Sequence, residues 1–126
     1  MEKIKRLEDF EIYQIAMEIG EAVWDIVIKW DSFSKDTIGK QIVRSADSIA
    51  ANIAEGYGRF SFKERRTFTL YSRGSLLETK TWITKSNNRH LTTQELFNLI
   101  IEKLKSLHLK INIYLKVLNA NTNQPQ

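Results

Sequence analysis

Apolar positions return every three or four residues in four blocks along the chain, which is the period of an α-helix with one buried side. In the first block, from about Asp9 to Trp30, Phe10, Tyr13, Met17, Gly20, Trp24 and Val27 form one stripe. Ile12, Ala16, Ile19, Val23, Ile26 and Trp30 form a second stripe beside it. Together they cover roughly two-thirds of the circumference, where a surface helix needs an apolar stripe of only about 100°. The surplus predicts a second contact surface, with Ile12, Ile19, Val23, Ile26 and Trp30 as candidates for contact with another copy of the chain.

The turn-like run Asp31-Ser32-Phe33-Ser34 separates this block from the next, which spans about Asp36 to Tyr57 and turns Ile38, Ile42, Ala46, Ile49 and Ile53 inward. Gly56 and Gly58 bracket its end. Ser61-Phe62-Lys63-Glu64 has the form of a capping box and opens the third helix, which continues to about Ser86. Its expected core side carries Phe68, Ser75, Leu76, Thr79, Trp82 and Ile83. After a loop at Asn87-Asn88-Arg89-His90, Thr92-Thr93-Gln94-Glu95 offers a second capping box. The fourth helix then places Phe97, Ile100, Leu104, Leu107, Ile111, Tyr114 and Leu118 in heptad spacing. The one proline, Pro125, lies in the tail and breaks none of these segments. The expected fold is all-α: an up-down-up-down antiparallel four-helix bundle over residues 1–118, followed by a polar tail, residues 119–126, expected to be disordered.

Composition narrows the setting. A chain of 126 residues, 42% hydrophobic and 27% charged, fits one domain with a real core. It has no cysteine, so neither disulfide nor thiolate chemistry is open to it. No apolar run approaches the roughly 18–20 residues a bilayer crossing requires. The opening Met1-Glu2-Lys3-Ile4-Lys5-Arg6 leads into acidic residues with no apolar signal core. A cytoplasmic protein without a membrane partner is the expectation.

The formal charge of +4 is uneven along the chain. Residues 1–35 hold 5 Lys/Arg against 8 Asp/Glu, residues 36–89 hold 10 against 5, and residues 90–126 hold 4 against 2. The third helix sets Arg66, Arg73 and Lys80 seven residues apart, with Lys63, Leu70 and Leu77 beside that line. The first helix sets Glu11, Glu18 and Asp25 at the same spacing. Rows of opposite sign can zip two helices together, within a bundle or between copies. A basic row free of carboxylates can instead follow a phosphate backbone. The second helix adds a polar line of Gln41, Arg44, Ser48, Asn52 and Glu55. Its short amides and hydroxyls, interleaved with alanine, suit close approach by another helix. Ser48, Asn52 and Glu55 are therefore candidate interface residues.

Catalytic and metal-binding patterns find no support. The two histidines, His90 and His108, stand in no E-x-x-H or H-x-x-x-H pattern, so no cofactor or metal is expected. Gly56-Tyr57-Gly58-Arg59 has no strand before it and no G-K-[ST] after it, which reads as a helix stop and not as a phosphate cradle. An enzyme would need Arg44, Asn52 and Glu55 to converge on a concave pocket.

The stretch from Gln41 to Arg59, with its A-N-I-A-E-G-x-G-R core at residues 51–59, and the R-G-S-L element Arg73-Gly74-Ser75-Leu76 closely resemble the 23S rRNA intervening-sequence proteins. The resemblance extends from Phe10 to about Leu118. It implies a four-helix bundle assembled as a homopentamer. The chain is also similar to the accessory variability determinants of diversity-generating retroelements. That similarity implies a basic barrel associated with nucleic acid and a reverse transcriptase, with Arg44, Arg59, Lys63, Arg66 and Arg73 as candidate contacts, and Lys80 extends their row. The expected function is thus a non-enzymatic homo-oligomer that binds RNA or DNA without sequence preference. The alternative is an assembly scaffold with no nucleic-acid role.

Overall fold

A computed structural model describes residues 6–121, and among them every regular element is helical. A 3-10 turn at Leu7–Asp9 leads into α1, Glu11–Val27. A short α-helical piece, Ser32–Ser34, and a π-helical turn, Lys35–Gly39, run directly into α2, Lys40–Tyr57. α3 spans Phe62–Asn88 and α4 spans Gln94–Asn121. Each helix packs against its neighbours in chain order, and α4 closes the square against α1. α1 and α3 therefore stand on one diagonal. This is the expected all-α four-helix bundle.

The helix ends follow local hydrogen-bond chemistry. Asp31 caps the segment before α2: its carboxylate accepts from the Ser34 backbone N–H at 3.0 Å and from the Ser34 hydroxyl at 2.9 Å. These bonds hold the Asp31 carboxyl below the ordinary aspartate range, the backbone bond most strongly. Helical structure consequently begins at Ser32, within the run that sequence alone reads as a turn. Ser61 caps α3 as expected, accepting from Glu64 N–H at 3.1 Å. The cap of α4 is Thr93, one residue beyond the Thr92-x-x-Glu95 pattern, and it accepts from Leu96 N–H at 3.1 Å. Between α3 and α4, His90 adopts a left-handed φ of 61°. Leu91 N–H bonds back to Ser86 O at 2.9 Å and His90 N–H to Asn87 O at 3.1 Å, the pairing of a Schellman cap. α4 continues to Asn121, so residues 119–121 extend the helix where a disordered tail was expected, and residues 122–126 lie outside the described residues.

The core corrects the reading of α1. Ile12, Ile19, Val23, Ile26 and Trp30, expected at an interface with another copy, are buried within their own bundle. They pack with Ile42, Ile49, Leu76, Ile83, Leu104 and Ile111. The compact branched side chains of this stripe fill the centre, while Met17, Trp24 and Ile28 remain outside. Trp30 also donates its indole N–H to Leu91 O at 2.7 Å, tying the end of α1 to the turn before α4.

Between α2 and α3 the seam is polar and small. Ser45, Ser72 and Thr79 are buried. Ser72 donates across the seam to Ile49 O at 2.8 Å, and the Thr79 and Ser45 hydroxyls hydrogen-bond to each other at 2.9 Å. Gly56, at the end of α2, is pressed against α3: an added Cβ would lie 3.0 Å from Phe68 Cβ and 3.3 Å from Arg65 O. Gly74, in the middle of α3, has nothing within 4 Å of that position.

Alanine at these two glycines should therefore act with opposite sign. Gly56→Ala is expected to destabilise by about 1–3 kcal/mol through overpacking. Gly74→Ala is expected to stabilise the isolated subunit by roughly 0.5–1 kcal/mol, because glycine is the poorer helix former. Urea unfolding at dilute protein, followed by circular dichroism, measures both.

Candidate functional site

Charge is sorted between two opposite sides of the bundle, and α4 decides which charges remain free. On its α1 side, Lys110 pairs with Glu11 at 3.1 Å and Lys103 with Glu18 at 3.2 Å. The acidic row of α1 thus meets α4 and not the basic row of α3, which the diagonal arrangement puts out of reach. On its α3 side, α4 offers neutral partners. Arg66 Nε donates to Asn119 Oδ1 at 2.5 Å, and Arg73 Nη1 donates to Asn112 Oδ1 at 2.9 Å. Amide oxygens orient the two guanidinium groups without cancelling their charge.

One heptad further along, the same antiparallel register sets Lys80 opposite Lys105. Both lysines are exposed, and among the described residues neither has a carboxylate partner. Lys63 and Lys116 are likewise exposed and unpaired among the described residues. The α3/α4 face thus gathers Lys63, Arg66, Arg73 and Lys80 with Lys105 and Lys116. The last two were not singled out from sequence. Continuing the α4 heptad through 105, 112 and 119 reveals the first, because that line of Lys, Asn and Asn faces 80, 73 and 66. Apolar side chains interrupt the basic surface: Leu77, Leu109 and Ile113 are 46%, 64% and 55% exposed.

The other candidates divide. Arg59 is committed to the α2–α3 corner, where it pairs with Glu55 at 2.8 Å, approaches Glu64 at 3.9 Å and lies 4.8 Å over the Phe68 ring. Arg44 is exposed on α2, away from the α3/α4 row. Asn52 donates to Ser48 O at 2.9 Å within its own helix. With Glu55 held by Arg59, the set Arg44, Asn52 and Glu55 does not converge on a pocket. Ser48 and Asn52 are half-buried and Glu55 is exposed. Among the described residues no group of three His, Asp or Glu side chains is arranged to hold a metal, and no helix is long and apolar enough to cross a membrane.

The α1/α2 side is different in kind. A groove of about 360 Å³ runs between Tyr13, Met17, Gly20 and Glu21 of α1 and Asp47, Ala51 and Ala54 of α2. Beside it, Trp24 is 51% exposed. Desolvation first, and the nearby Glu21 charge second, push the Asp47 carboxyl above the ordinary aspartate range. Two carboxylates, Glu21 and Asp47, thus stand in this groove beside uncovered apolar surface.

The sign for stability follows from that shift. A raised folded-state value makes ionised Asp47 unfavourable, so its penalty is absent below the ordinary aspartate range and present once pH exceeds the raised value. Asp47→Asn is expected to be more stable than the parent at neutral pH. The advantage should shrink as pH falls through the carboxylate range, read as urea midpoints across that range with dilute protein.

The comparisons with known proteins agree with this architecture. A family model described as 23S rRNA-intervening sequence protein matches residues 8–113. Among solved structures, a protein of unknown function from the S23 ribosomal protein family of Bacteroides thetaiotaomicron superposes with a TM-score of 0.75. It is 19% identical, and the match covers 83% of this chain and 98% of that one, a likeness of fold. No curated protein matches the sequence. With the bundle, the A-N-I-A-E-G-x-G-R corner and a family match over most of its length, the chain belongs to the 23S rRNA-intervening sequence protein family.

Proposed function

We propose that this protein is a self-assembling helical scaffold, a homo-oligomer whose work is binding and not catalysis. The observation that carries the reading is the uncovered apolar stripe of α1, Met17, Trp24 and Ile28, set beside the small side chains of Ala51 and Ala54 on α2. Exposed apolar residues are ordinary one at a time; grouped around a half-exposed tryptophan they suit a protein interface. The free side of α1, and not its isoleucine stripe, supplies the contact. The resemblance to ring-forming relatives makes five copies the expected count.

A second reading has its own support. The α3/α4 row keeps its positive charge because Arg66 and Arg73 are held by asparagines, and Lys80 and Lys105 have no carboxylate partner among the described residues. Such a row can track a phosphate backbone, with an affinity that falls steeply as salt displaces it.

Sedimentation velocity and light scattering of the full chain at micromolar concentration test the leading reading. A defined species several times the 14.7 kDa chain mass is expected, and a single subunit at high concentration would sink it. Anisotropy with labelled single-stranded RNA at low salt tests the second reading. Binding that disappears in Arg66→Glu/Arg73→Glu/Lys80→Glu while helix content persists supports it, and no binding at tens of micromolar protein removes it.

A further inference from the structure

Gly74 is the feature that the fold of one subunit leaves unexplained. It sits within the 27-residue α3, where glycine costs about 1 kcal/mol relative to alanine. It is also exposed, and a Cβ there would meet nothing. Gly56 has an internal reason to be glycine and Gly74 has none. An absent side chain on the outer surface of a helix allows another molecule to approach the backbone closely. Leu77 lies three residues along the same helix, and Leu109 of α4 projects from the adjoining helix.

Lys80 and Lys105 flank this region, with exposed Glu78 one turn from Gly74, and the carboxylates Glu21 and Asp47 stand on the opposite side of the bundle. The α3/α4 side has Lys80 and Lys105 with no ion pair among the described residues, together with Leu77, Leu109 and Ile113, and the same helices also expose Glu78 and Glu102. The α1/α2 face has Glu21 and Asp47 lining one groove, together with Met17 and Trp24. Each face exposes apolar surface, and each carries the charge the other needs. A polyanion would satisfy the lysines but leave Leu77, Leu109, Ile113 and Gly74 without a role. A second copy of this chain accounts for both.

Resting on the self-assembly reading, we propose that the α1/α2 face of one copy seats on the α3/α4 face of the next, with Trp24 and Met17 against Gly74, Leu77 and Leu109, and Glu21 and Asp47 toward Lys80 and Lys105. The two faces lie on opposite sides of the square, so the contact is heterologous. Each added copy presents a fresh α3/α4 face, so the series grows from copy to copy and closes only where the rotation per step completes a full turn.

The test uses the full chain in sedimentation velocity. Gly74→Gln puts a long, helix-favouring side chain into open space. It is expected to keep the helical circular dichroism spectrum and to weaken association by at least about tenfold, since overpacking and lost contact at an interface centre cost about 1.4 kcal/mol or more. Glu21→Lys/Asp47→Lys and Lys80→Glu/Lys105→Glu should each sediment as single subunits, because like charges then face each other. An equimolar mixture of these two variants should recover a larger species, because opposite charges again meet at every contact. An oligomeric parent whose assembly survives all three changes overturns the proposed contact while leaving self-assembly standing. A parent that is itself a single subunit overturns both. If Lys80→Glu/Lys105→Glu loses RNA binding but stays assembled, the face belongs to a polyanion and the proposed contact is wrong.

Discussion

The rotation of α1 about its own axis is the constraint on which the rest depends. Two apolar stripes compete for the core; one takes its centre, while the other reaches its edge through Phe10, Tyr13, Gly20 and Val27 and leaves Met17 and Trp24 outside. Ile12, Ala16, Ile19, Val23 and Ile26 win because they are compact and fit among the isoleucines and leucines of the other helices. The indole of Trp30, anchored to Leu91 O, locks the choice at one end. At the other end, Phe10 stands edge-on to Tyr114 with ring centroids 5.0 Å apart. Once this rotation is set, Glu11 and Glu18 face α4, Asp47 comes close to Gly20, and Met17 and Trp24 are left outside.

Much of the fold was legible because helical periodicity and capping chemistry are local. The four blocks, the Ser61 cap and the inward line Ile38-Ile42-Ala46-Ile49-Ile53 all follow from side chains close in sequence. Other features depend on a third dimension that spacing does not encode. Both α1 stripes satisfy the same period, so periodicity cannot rank them, and the interface assignment of Ile12, Ile19, Val23, Ile26 and Trp30 went to the wrong one. The partners of the acidic row depend on which helix is diagonal and which is adjacent. Asp31 reads equally well as a turn residue and as a cap, because one hydrogen-bonding habit serves both. The basic row on α3 was visible, but its extension by Lys105 and Lys116 required the register of α3 against α4.

The two most distinctive motifs divide the same way. A-N-I-A-E-G-x-G-R is architecture: Glu55 and Arg59 pair, Gly56 admits Phe68, and the guanidinium of Arg59 covers the Phe68 ring. That network turns α2 into α3 at a close corner, so a signature of this strength need not mark a binding site. R-G-S-L is mixed. Arg73 reaches α4, Ser75 O accepts from Thr79 and Leu76 is core, but Gly74 serves nothing inside the subunit.

The hydroxyl seam between α2 and α3 limits how these helices can slide. Leucine-lined grooves tolerate small translations, because one methyl replaces another. Ser72 has a specific acceptor in Ile49 O, and Thr79 meets Ser45 only at the observed offset. A displacement by one helical turn would take Ile49 O away from the buried Ser72 hydroxyl, with no water there to replace it. The bundle therefore holds its α2–α3 pair to a single longitudinal alignment, which keeps the two outer faces at constant height relative to each other in every copy of the subunit.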